Sequence, residues 1–291
     1  MNGLCAAAPA DLDALKAMLA GTAGPLRYVA GGTDMLVSPR EPPRDGWLID
    51  ISRTRGLGDI SLSAGTLRIG ATATLTHLIR SDLVRQHLPA LAQAADLCGS
   101  VQIRNRATVG GNAANASPAG DLLPVLKCLD AAFQIVHRDG GGESLAFDSL
   151  LIGAGRTSLT PGSLITRIDI PLGPRLGRCA FVKLGRRDDL TISRLNLIME
   201  ADFDTVAGRF GTVHLVAGAI APVPLRLDAV ADELAGKYIV QETVRRFLEA
   251  LIDAVDGAIP NRASHGYKRR AIMGLGLDLL AQITGREMPL P

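Results

Sequence analysis

Short runs of apolar residues predict strands through most of the first part of the chain. These runs, rich in Leu, Ile and Val, occupy residues 26–30, 47–51, 60–62, 67–69, 133–136 and 164–170. The third and fourth runs are separated by an Ala-Gly dipeptide, which predicts a hairpin. Leucines recur at helical spacing after Asp11, and they predict a helix from 11 to about 19.

The order of the predicted elements changes along the chain. Residues 75–95 are predicted to be mostly helical, 99–117 to form a loop and 121–129 to form a helix. After a predicted linker at 171–174, we expect strands at 180–184, 195–203 and 212–219, and then helices at 229–235, 241–255 and 264–282. Helices lie between the early strands but follow the late ones, which favours an α+β fold of at least two domains.

Composition and charge exclude several classes of protein. Among 291 residues, 47% are hydrophobic and 21% charged, which is typical of a soluble globular protein. The net charge is +2 and the cations are scattered, so we expect no nucleic-acid partner. We expect no membrane span and no secretory signal, and therefore a cytoplasmic protein. The cysteines show no metal-binding spacing and are interpreted as structural thiols; they are Cys5, Cys98, Cys128 and Cys179.

Two glycine pairs are the strongest functional signal in the residues themselves. The first lies in VAGGTDMLVS, residues 29–38, directly after a predicted strand. Consecutive glycine amides can form an anion-binding concavity, so this segment could hold a pyrophosphate. Thr33 would add a hydroxyl donor, and Asp34 would act as an N-cap or accept a ligand hydroxyl. Neither pair fits the Rossmann or Walker pattern.

The second pair lies in TVGGNAANASPAGD, residues 108–121, among many small polar residues. Asp121 has two possible roles: the N-cap of the following helix, or an acceptor for a sugar hydroxyl or ring N–H. A ligand that combines a pyrophosphate with sugar hydroxyls would use both loops, and this describes a dinucleotide. The alternative is that both glycine pairs are only turns, in a nucleotide-binding or scaffold module without catalysis.

Four segments together resemble the FAD-binding medium subunits of the molybdenum hydroxylases, such as xanthine, carbon monoxide and nicotinate dehydrogenases. The segments are VAGGTDML, QIRNRATVGGNAANASPAGDLLP (102–124), FVKLGRRDDLTIS (181–193) and RASHGYKRR (262–270). The resemblance implies a vanillyl-alcohol-oxidase-like FAD-binding domain at 1–175, with α+β subdomains at about 1–55 and 56–175. A C-terminal domain of three antiparallel strands and a helical bundle, 176–291, would follow.

The resemblance also implies positions for FAD. The pyrophosphate would be wrapped by Tyr28, Val29, Ala30, Gly31, Gly32, Thr33, Asp34 and Met35. The ribityl chain and flavin would be lined by Thr108, Gly110, Gly111, Asn112, Ser117 and Asp121. Ile165 would pack on the adenine end, and Lys183 would lie near the flavin pyrimidine edge, where a cation stabilises the charge added by reduction. From its residue type alone, Lys183 could instead be a solvated strand residue.

The implied function is electron transfer. Electrons would come from a molybdopterin large subunit through [2Fe–2S] clusters of a small subunit to this FAD, and leave to NAD+ or another acceptor. Xanthine dehydrogenase is the first expectation, as a dimer of heterotrimers, with no catalytic acid or base and no metal in this chain. The alternative is a self-contained flavin oxidoreductase, for which Asp188, Asp189 and His214 are candidate but unpaired acid–base groups. Ala113-Ala114 departs from the family, which often has Ile there.

Overall fold

The chain folds into three main sheets that follow one another in sequence. The computed structural model describes residues 3–36, 45–173, 177–187 and 191–287. The end of the predicted linker, Pro174, and the candidate acids Asp188 and Asp189 lie outside the described residues. None of the described helices is both long and apolar enough to cross a membrane.

The first sheet is parallel and has the strand order β1-β3-β2. Its elements are β1 (Leu4–Ala7), α1 (Leu12–Gly21), β2 (Leu26–Val29) and β3 (Gly46–Asp50). As predicted, Asp11 is the N-cap of α1, because its Oδ1 accepts a hydrogen bond from Ala14 N at 3.0 Å. The sequence did not predict β1, because the residues Leu-Cys-Ala-Ala show no alternation; pairing with β3 defines this strand.

The second sheet is antiparallel and has the order β4-β5-β10-β6-β7. Its strands are β4 (Ile60–Ser63), β5 (Thr66–Gly70), β6 (Ala132–Val136), β7 (Gly142–Ala146) and β10 (Leu164–Pro171), and β8 (Leu151–Gly153) pairs separately with β9 (Arg156–Thr157). The predicted hairpin is confirmed: Ala64 and Gly65 both have positive φ, 48° and 70°, which is typical of a type I′ turn.

Seven short helices accompany this sheet. They are α2 (Leu75–Arg80), α3 (Asp82–His87), α4 (Pro89–Asp96), α5 (Val101–Arg104), α6 (Val109–Asn115), α7 (Leu122–Cys128) and α8 (Phe147–Leu150). The prediction of a loop over 99–117 was therefore wrong, because α5 and α6 lie within it. Ser100 caps α5 and Thr108 caps α6 through their hydroxyls, which accept from Ile103 N (3.3 Å) and Gly111 N (3.1 Å).

The third sheet is antiparallel and is followed by helices. Its strands are β11 (Arg178–Leu184), β12 (Leu195–Asp204), β13 (Arg209–Gly218) and β14 (Leu225–Arg226), and the helices are α9 (Asp228–Ala231), α10 (Gln241–Ala258) and α11 (His265–Thr284). The prediction of three strands missed β14. This two-residue strand pairs with β13, and Arg226 also donates to the carbonyl of Lys127 at 3.1 Å and pairs with Asp130.

Both faces of the third sheet carry apolar residues: one face packs against the second sheet and the other against the C-terminal helices. Ile198 and Val216 pack into the core of the second sheet, whereas Leu197 and Met199 pack with α10 and α11. Both faces of β12 are therefore buried from residue 195 to 201, and five of these seven residues are apolar. The domain boundary predicted near 175 stays a prediction, and a shared apolar core extends across it.

Gly110→Ala should destabilise the protein, because α6 lies directly on the end of β5. A Cβ at Gly110 would lie 2.5 Å from Ala71 Cβ and 2.7 Å from its carbonyl oxygen. Overpacking of this kind typically costs about 1–3 kcal/mol. Urea unfolding measures the loss. Gly257→Ala in α10 is the control, since its Cβ would meet nothing within 4 Å; equal effects of the two substitutions would contradict the packing argument.

Candidate functional site

The two glycine segments, far apart in sequence, contact each other. A Cβ at Gly31 would lie only 1.8 Å from the carbonyl oxygen of Arg106. The Arg106 Nε donates to Gly31 O at 3.4 Å, and Asn115 Nδ2 donates to Asp34 Oδ1 at 3.2 Å. The structure thus brings the first segment against α6 and the loop before it.

The missing side chains of these glycines make room for other parts of the chain. Gly110 faces Ala71, and a Cβ at Gly111 would lie 2.8 Å from the cap hydroxyl of Thr108. Gly32 has φ +74°, a conformation that side chains disfavour. The sequence interpretation, in which a ligand excludes side chains at both pairs, is therefore incomplete. Packing within the chain already requires these glycines, and their contact with a ligand stays a prediction.

The remaining predicted residues of the first segment surround this contact. Residues 33–36 form a turn, not a helix, so Asp34 does not act as an N-cap and instead accepts from the Asn115 amide. Tyr28 donates its hydroxyl to Gly162 O at 2.7 Å, and burial raises the pKa of Tyr28 to about 12. Val29, Ala30 and Met35 are half-buried.

Other predicted residues lie on the second sheet and α6. Ile165 is 3% exposed and shares a core with Val109 and Ala113 of α6. Ala113 is therefore a packing residue, whereas Ala114 is exposed. The Ser117 hydroxyl accepts from Ala119 N at 3.4 Å in the loop that leads to α7. Contact of Ile165 with a ligand stays a prediction.

A small polar cleft of about 140 Å³ opens beside Gly31. It lies where β2 and β3 end, and the carboxyl ends of parallel strands are the usual ligand-binding edge of such sheets. Its lining residues are mostly polar: Ala30, Gly31, Ser52, Arg53, Thr72, Thr74, Asn105, Arg106 and Thr108. Only Ala30, Gly31 and Thr108 of these were among the predicted site residues.

A larger, open cavity of about 580 Å³ lies between the end of α1 and the β6–β7 turn. It contains none of the predicted site residues. Its polar groups already have partners: Arg138 donates to Gly24 O at 2.7 Å, and His137 contacts both Ser163 Oγ (2.9 Å) and Glu143 Oε1 (3.1 Å). We therefore regard the smaller cleft as the better candidate, despite its size.

A buried polar cluster, which we call the Asp121 cluster, joins α7 to the third sheet. It consists of Asp121, Lys183, Ser193 and Asn196. The Lys183 ammonium lies 2.5 Å from Asp121 Oδ2 and donates to Leu97 O at 2.8 Å. Ser193 Oγ and Asn196 Nδ2 both donate to Asp121 Oδ1, the latter at 3.3 Å.

The geometry decides between the alternatives for two predicted residues. The carboxylate of Asp121 stands at the start of α7 but makes no capping hydrogen bond. Lys183 is not a solvated strand residue, because its side chain is only 5% exposed. Lys183 and Asp121 therefore form a buried ion pair, and such pairs retain their charges only with further hydrogen bonds.

Burial dominates the electrostatics of the Asp121 cluster. It raises the pKa of Asp121, while the charge of Lys183 and the hydrogen bonds from Lys183, Ser193 and Asn196 oppose that shift. Burial also raises the pKa of Cys98 to about 11, and the nearby Asp121 carboxylate adds to the effect. The Cys98 thiol is therefore protonated at neutral pH, as expected for a structural cysteine.

The sequence reasoning missed Ser193 and Asn196. Asn196 is fully buried near the start of β12, within a run whose other residues, from 195 to 199, are apolar. A polar residue in such a run is the signal that could have identified it, since buried amides need hydrogen-bond partners. A Cβ at Gly218 on the paired strand would lie 2.1 Å from Asn196 Oδ1, so this glycine accommodates the amide.

Comparison with known sequences identifies the family. The family described as "FAD binding domain in molybdopterin dehydrogenase" matches residues 3–173, and "CO dehydrogenase flavoprotein C-terminal domain" matches residues 180–283. This chain belongs to the FAD-binding subunits of the molybdenum hydroxylases. The resemblance predicted from the four sequence segments is thus confirmed.

Individual relatives cover nearly all of the chain. The nicotinate dehydrogenase FAD-subunit of Eubacterium barkeri is 30% identical over 96% of both chains. The xanthine dehydrogenase FAD-binding subunit of Escherichia coli O157:H7 is 28% identical over 88% of both. Carbon monoxide dehydrogenase from Oligotropha carboxidovorans matches in structure with a TM-score of 0.84 and 22% identity, covering 98% of this chain and 99% of that one. This last similarity shows the mixed α/β fold.

The residues present fit the FAD of this family of subunits. Asn112 Oδ1, on the second predicted segment, is a buried acceptor without a partner in the described parts of the chain. Lys183 has three N–H donors, and its contacts with Asp121 and Leu97 use two of them. A flavin ring and a ribityl chain carry complementary donors and acceptors. Asn112 and Lys183 thus both have hydrogen-bonding capacity to spare.

The Asp121–Lys183 pair should behave as one unit in a double-mutant cycle. Asp121→Asn or Lys183→Met alone leaves one uncompensated buried charge, which typically costs about 3–5 kcal/mol. The double variant should lose much less than the sum, and urea unfolding of all four proteins measures this. Asp82→Asn is the control, because its partner Arg85 is exposed and such pairs contribute up to about 1 kcal/mol. Additive losses from the two single substitutions would contradict the coupling.

Proposed function

We propose that the chain is the electron-transfer flavoprotein subunit of a molybdenum hydroxylase. It would receive electrons from [2Fe–2S] clusters of a partner subunit, which obtain them from a molybdopterin subunit, and pass them to NAD+ or another acceptor. The observation that carries the proposal is the meeting of the two glycine segments beside a polar cleft. The buried cation Lys183 adds support, because it pairs with Asp121 at the end of the second glycine segment.

We further propose which residues hold FAD. The pyrophosphate would lie along 28–35, with the adenine end toward Ile165. The ribityl and flavin side would contact the second segment through Thr108, Gly110, Gly111, Asn112, Ser117 and Asp121. Because Asn115 of α6 binds Asp34 of the first segment, both halves of such a site are held together by the chain itself.

Bound FAD would supply the redox chemistry, so the chain needs no acid–base pair of its own. Lys183 would stabilise the negative charge that reduction places on the flavin pyrimidine edge. Asp121, its counter-ion, would limit that effect. We thus assign Lys183 and Asp121 opposite influences on the reduction potential.

A self-contained flavin oxidoreductase has less support. Its candidate base, His214, lies 3.6 Å from Glu200 Oε2, and its Nδ1 has no hydrogen-bond partner in the described parts of the chain. Glu200 on β12 is paired with His214 on β13, and Asn196 is paired with Gly218. The two pairs lie four residues apart along these strands. That separation is roughly 13 Å at the usual rise of a strand, too far for a role in the Asp121 cluster.

The substrate of the complex would be set by the molybdenum subunit. We propose a nitrogen heterocycle, with xanthine first, as in the sequence-based expectation. Two of the relatives are named for nicotinate and xanthine, and their similarity to this chain is nearly equal. Assembly as a cytoplasmic dimer of heterotrimers, with an iron–sulfur small subunit and a molybdopterin large subunit, completes the proposal.

The purified chain should be yellow and should release FAD on heating. The measurement is its visible absorption spectrum, followed by chromatographic identification of the released chromophore. Co-purification with iron–sulfur and molybdenum subunits would then test the proposed partners. A chain that remains colourless after incubation with excess FAD would overturn the proposed function, because the two glycine segments would then be turns only.

Substitutions in the Asp121–Lys183 pair should shift the flavin reduction potential in opposite directions. Lys183→Met should lower the two-electron potential, because it removes the cation that stabilises reduced flavin. Asp121→Asn should raise it, because it leaves the cation without a counter-ion. The double variant is the charge-balanced control and should lie near the unaltered protein. Reductive titration against reference dyes measures all four; an unchanged potential in Lys183→Met would remove Lys183 from the flavin site.

A further inference from the structure

The cleft beside Gly31 contains two cations that the glycine segments do not explain. Arg53 follows β3 and Arg106 precedes α6, and both line the cleft. Arg53 has no hydrogen bond or ion pair within the ranges that the structure describes. Among the described residues, the Arg106 side chain makes one long hydrogen bond, from Nε to Gly31 O at 3.4 Å. Guanidinium groups normally find carboxylate or phosphate partners, so both have unused capacity.

Hydroxyl groups complete the lining of the cleft. The Thr74 and Thr108 hydroxyls each accept a backbone N–H, from His77 (3.1 Å) and Gly111 (3.1 Å), and so keep their own O–H as donors. Thr72 is 8% exposed, and its hydroxyl has no partner in the described chain. The lining therefore offers many donors and two positive charges.

One carboxylate lies near the two arginines. Hydrogen bonds from Ser52 lower the pKa of Asp50, and the charges of Arg106 and Arg53 contribute to the same shift. The Ser52 amide donates to Asp50 Oδ1 at 2.9 Å, which fixes the carboxylate at the end of β3. Asp50 makes no ion pair within 4 Å to either arginine in the described structure, so the three groups together carry one net positive charge.

We propose that Arg53 and Arg106 bind the pyrophosphate of FAD in this cleft. The inference rests on the proposed function. A volume of about 140 Å³ is below the usual roughly 300–1,000 Å³ of a complete small-molecule site, so the cleft accepts only part of a dinucleotide. The part that matches paired guanidinium groups and hydroxyl donors is the phosphate portion.

Arg53 gives the sharper test, because its side chain makes no hydrogen bond or ion pair with another described residue. Arg53→Gln should raise the Kd of the apoprotein for FAD about tenfold. This is the low end of the effect expected for loss of a charge-assisted hydrogen bond, because the Arg53 side chain is exposed to solvent. It should also flatten the salt dependence of binding. Arg53→Lys should recover part of both, since it restores the charge. Arg106→Gln should weaken binding in the same direction.

Arg55→Gln is the matched control. Arg55 lies two residues further along, is 77% exposed and pairs with Asp11 at 2.9 Å, away from the cleft. Its substitution should leave the Kd for FAD unchanged. Fluorescence titration of each apoprotein with FAD at several salt concentrations provides the Kd values, and circular dichroism verifies folding.

The outcomes separate this inference from the proposed function. Suppose that the unaltered chain binds FAD tightly and that Arg53→Gln has the same Kd as the unaltered chain or as Arg55→Gln. That result would overturn the role of the arginines and leave the proposed function standing. A salt dependence that is the same in Arg53→Gln and the unaltered chain would also overturn it. Failure of the unaltered chain to bind FAD would overturn both. A selective loss with partial recovery in Arg53→Lys supports the proposal.

Discussion

The candidate site depends on one close approach, that of Gly31 to the carbonyl of Arg106. Any side chain at Gly31 would occupy the same space as that oxygen, since even a Cβ would lie 1.8 Å from it. The contact fixes the loop after β2 against the loop before α6, and the first sheet against the second. The polar cleft exists because these two loops meet there. Its shape is thus set by backbone packing and its chemistry by the side chains of neighbouring positions.

The Asp121 cluster provides a second connection, of a different physical kind. Apolar packing between the second and third sheets is tolerant of small changes, whereas a buried ion pair with two further donors requires fixed geometry. The pair joins α7 to β11, so the lysine that we assign to the flavin is positioned by a residue from the other half of the chain. Asp121 therefore both fixes the position of the Lys183 ammonium group and balances its charge.

Local patterns predicted most of the elements but few of the contacts. Short apolar runs located the long strands, and the Ala64-Gly65 turn was evident because Gly65 readily adopts positive φ. The helix α6 was missed because Gly110 and Gly111 disfavour helices, and packing on β5 overrides that tendency. Resemblance to a family supplied most of the candidate residues. The cleft arginines carry no local signal, because their surroundings form only when distant segments meet.

The residues of the Asp121 cluster lie far apart in sequence, and this has a consequence for folding during synthesis on the ribosome. The three side chains that satisfy the Asp121 carboxylate come 62, 72 and 75 residues later in the chain. At about 5–20 residues per second, their translation takes roughly 3 to 15 s. During that interval the first two sheets can form, but the carboxylate must remain hydrated. The surface of α7 that later becomes buried therefore stays open to water until the third sheet has emerged.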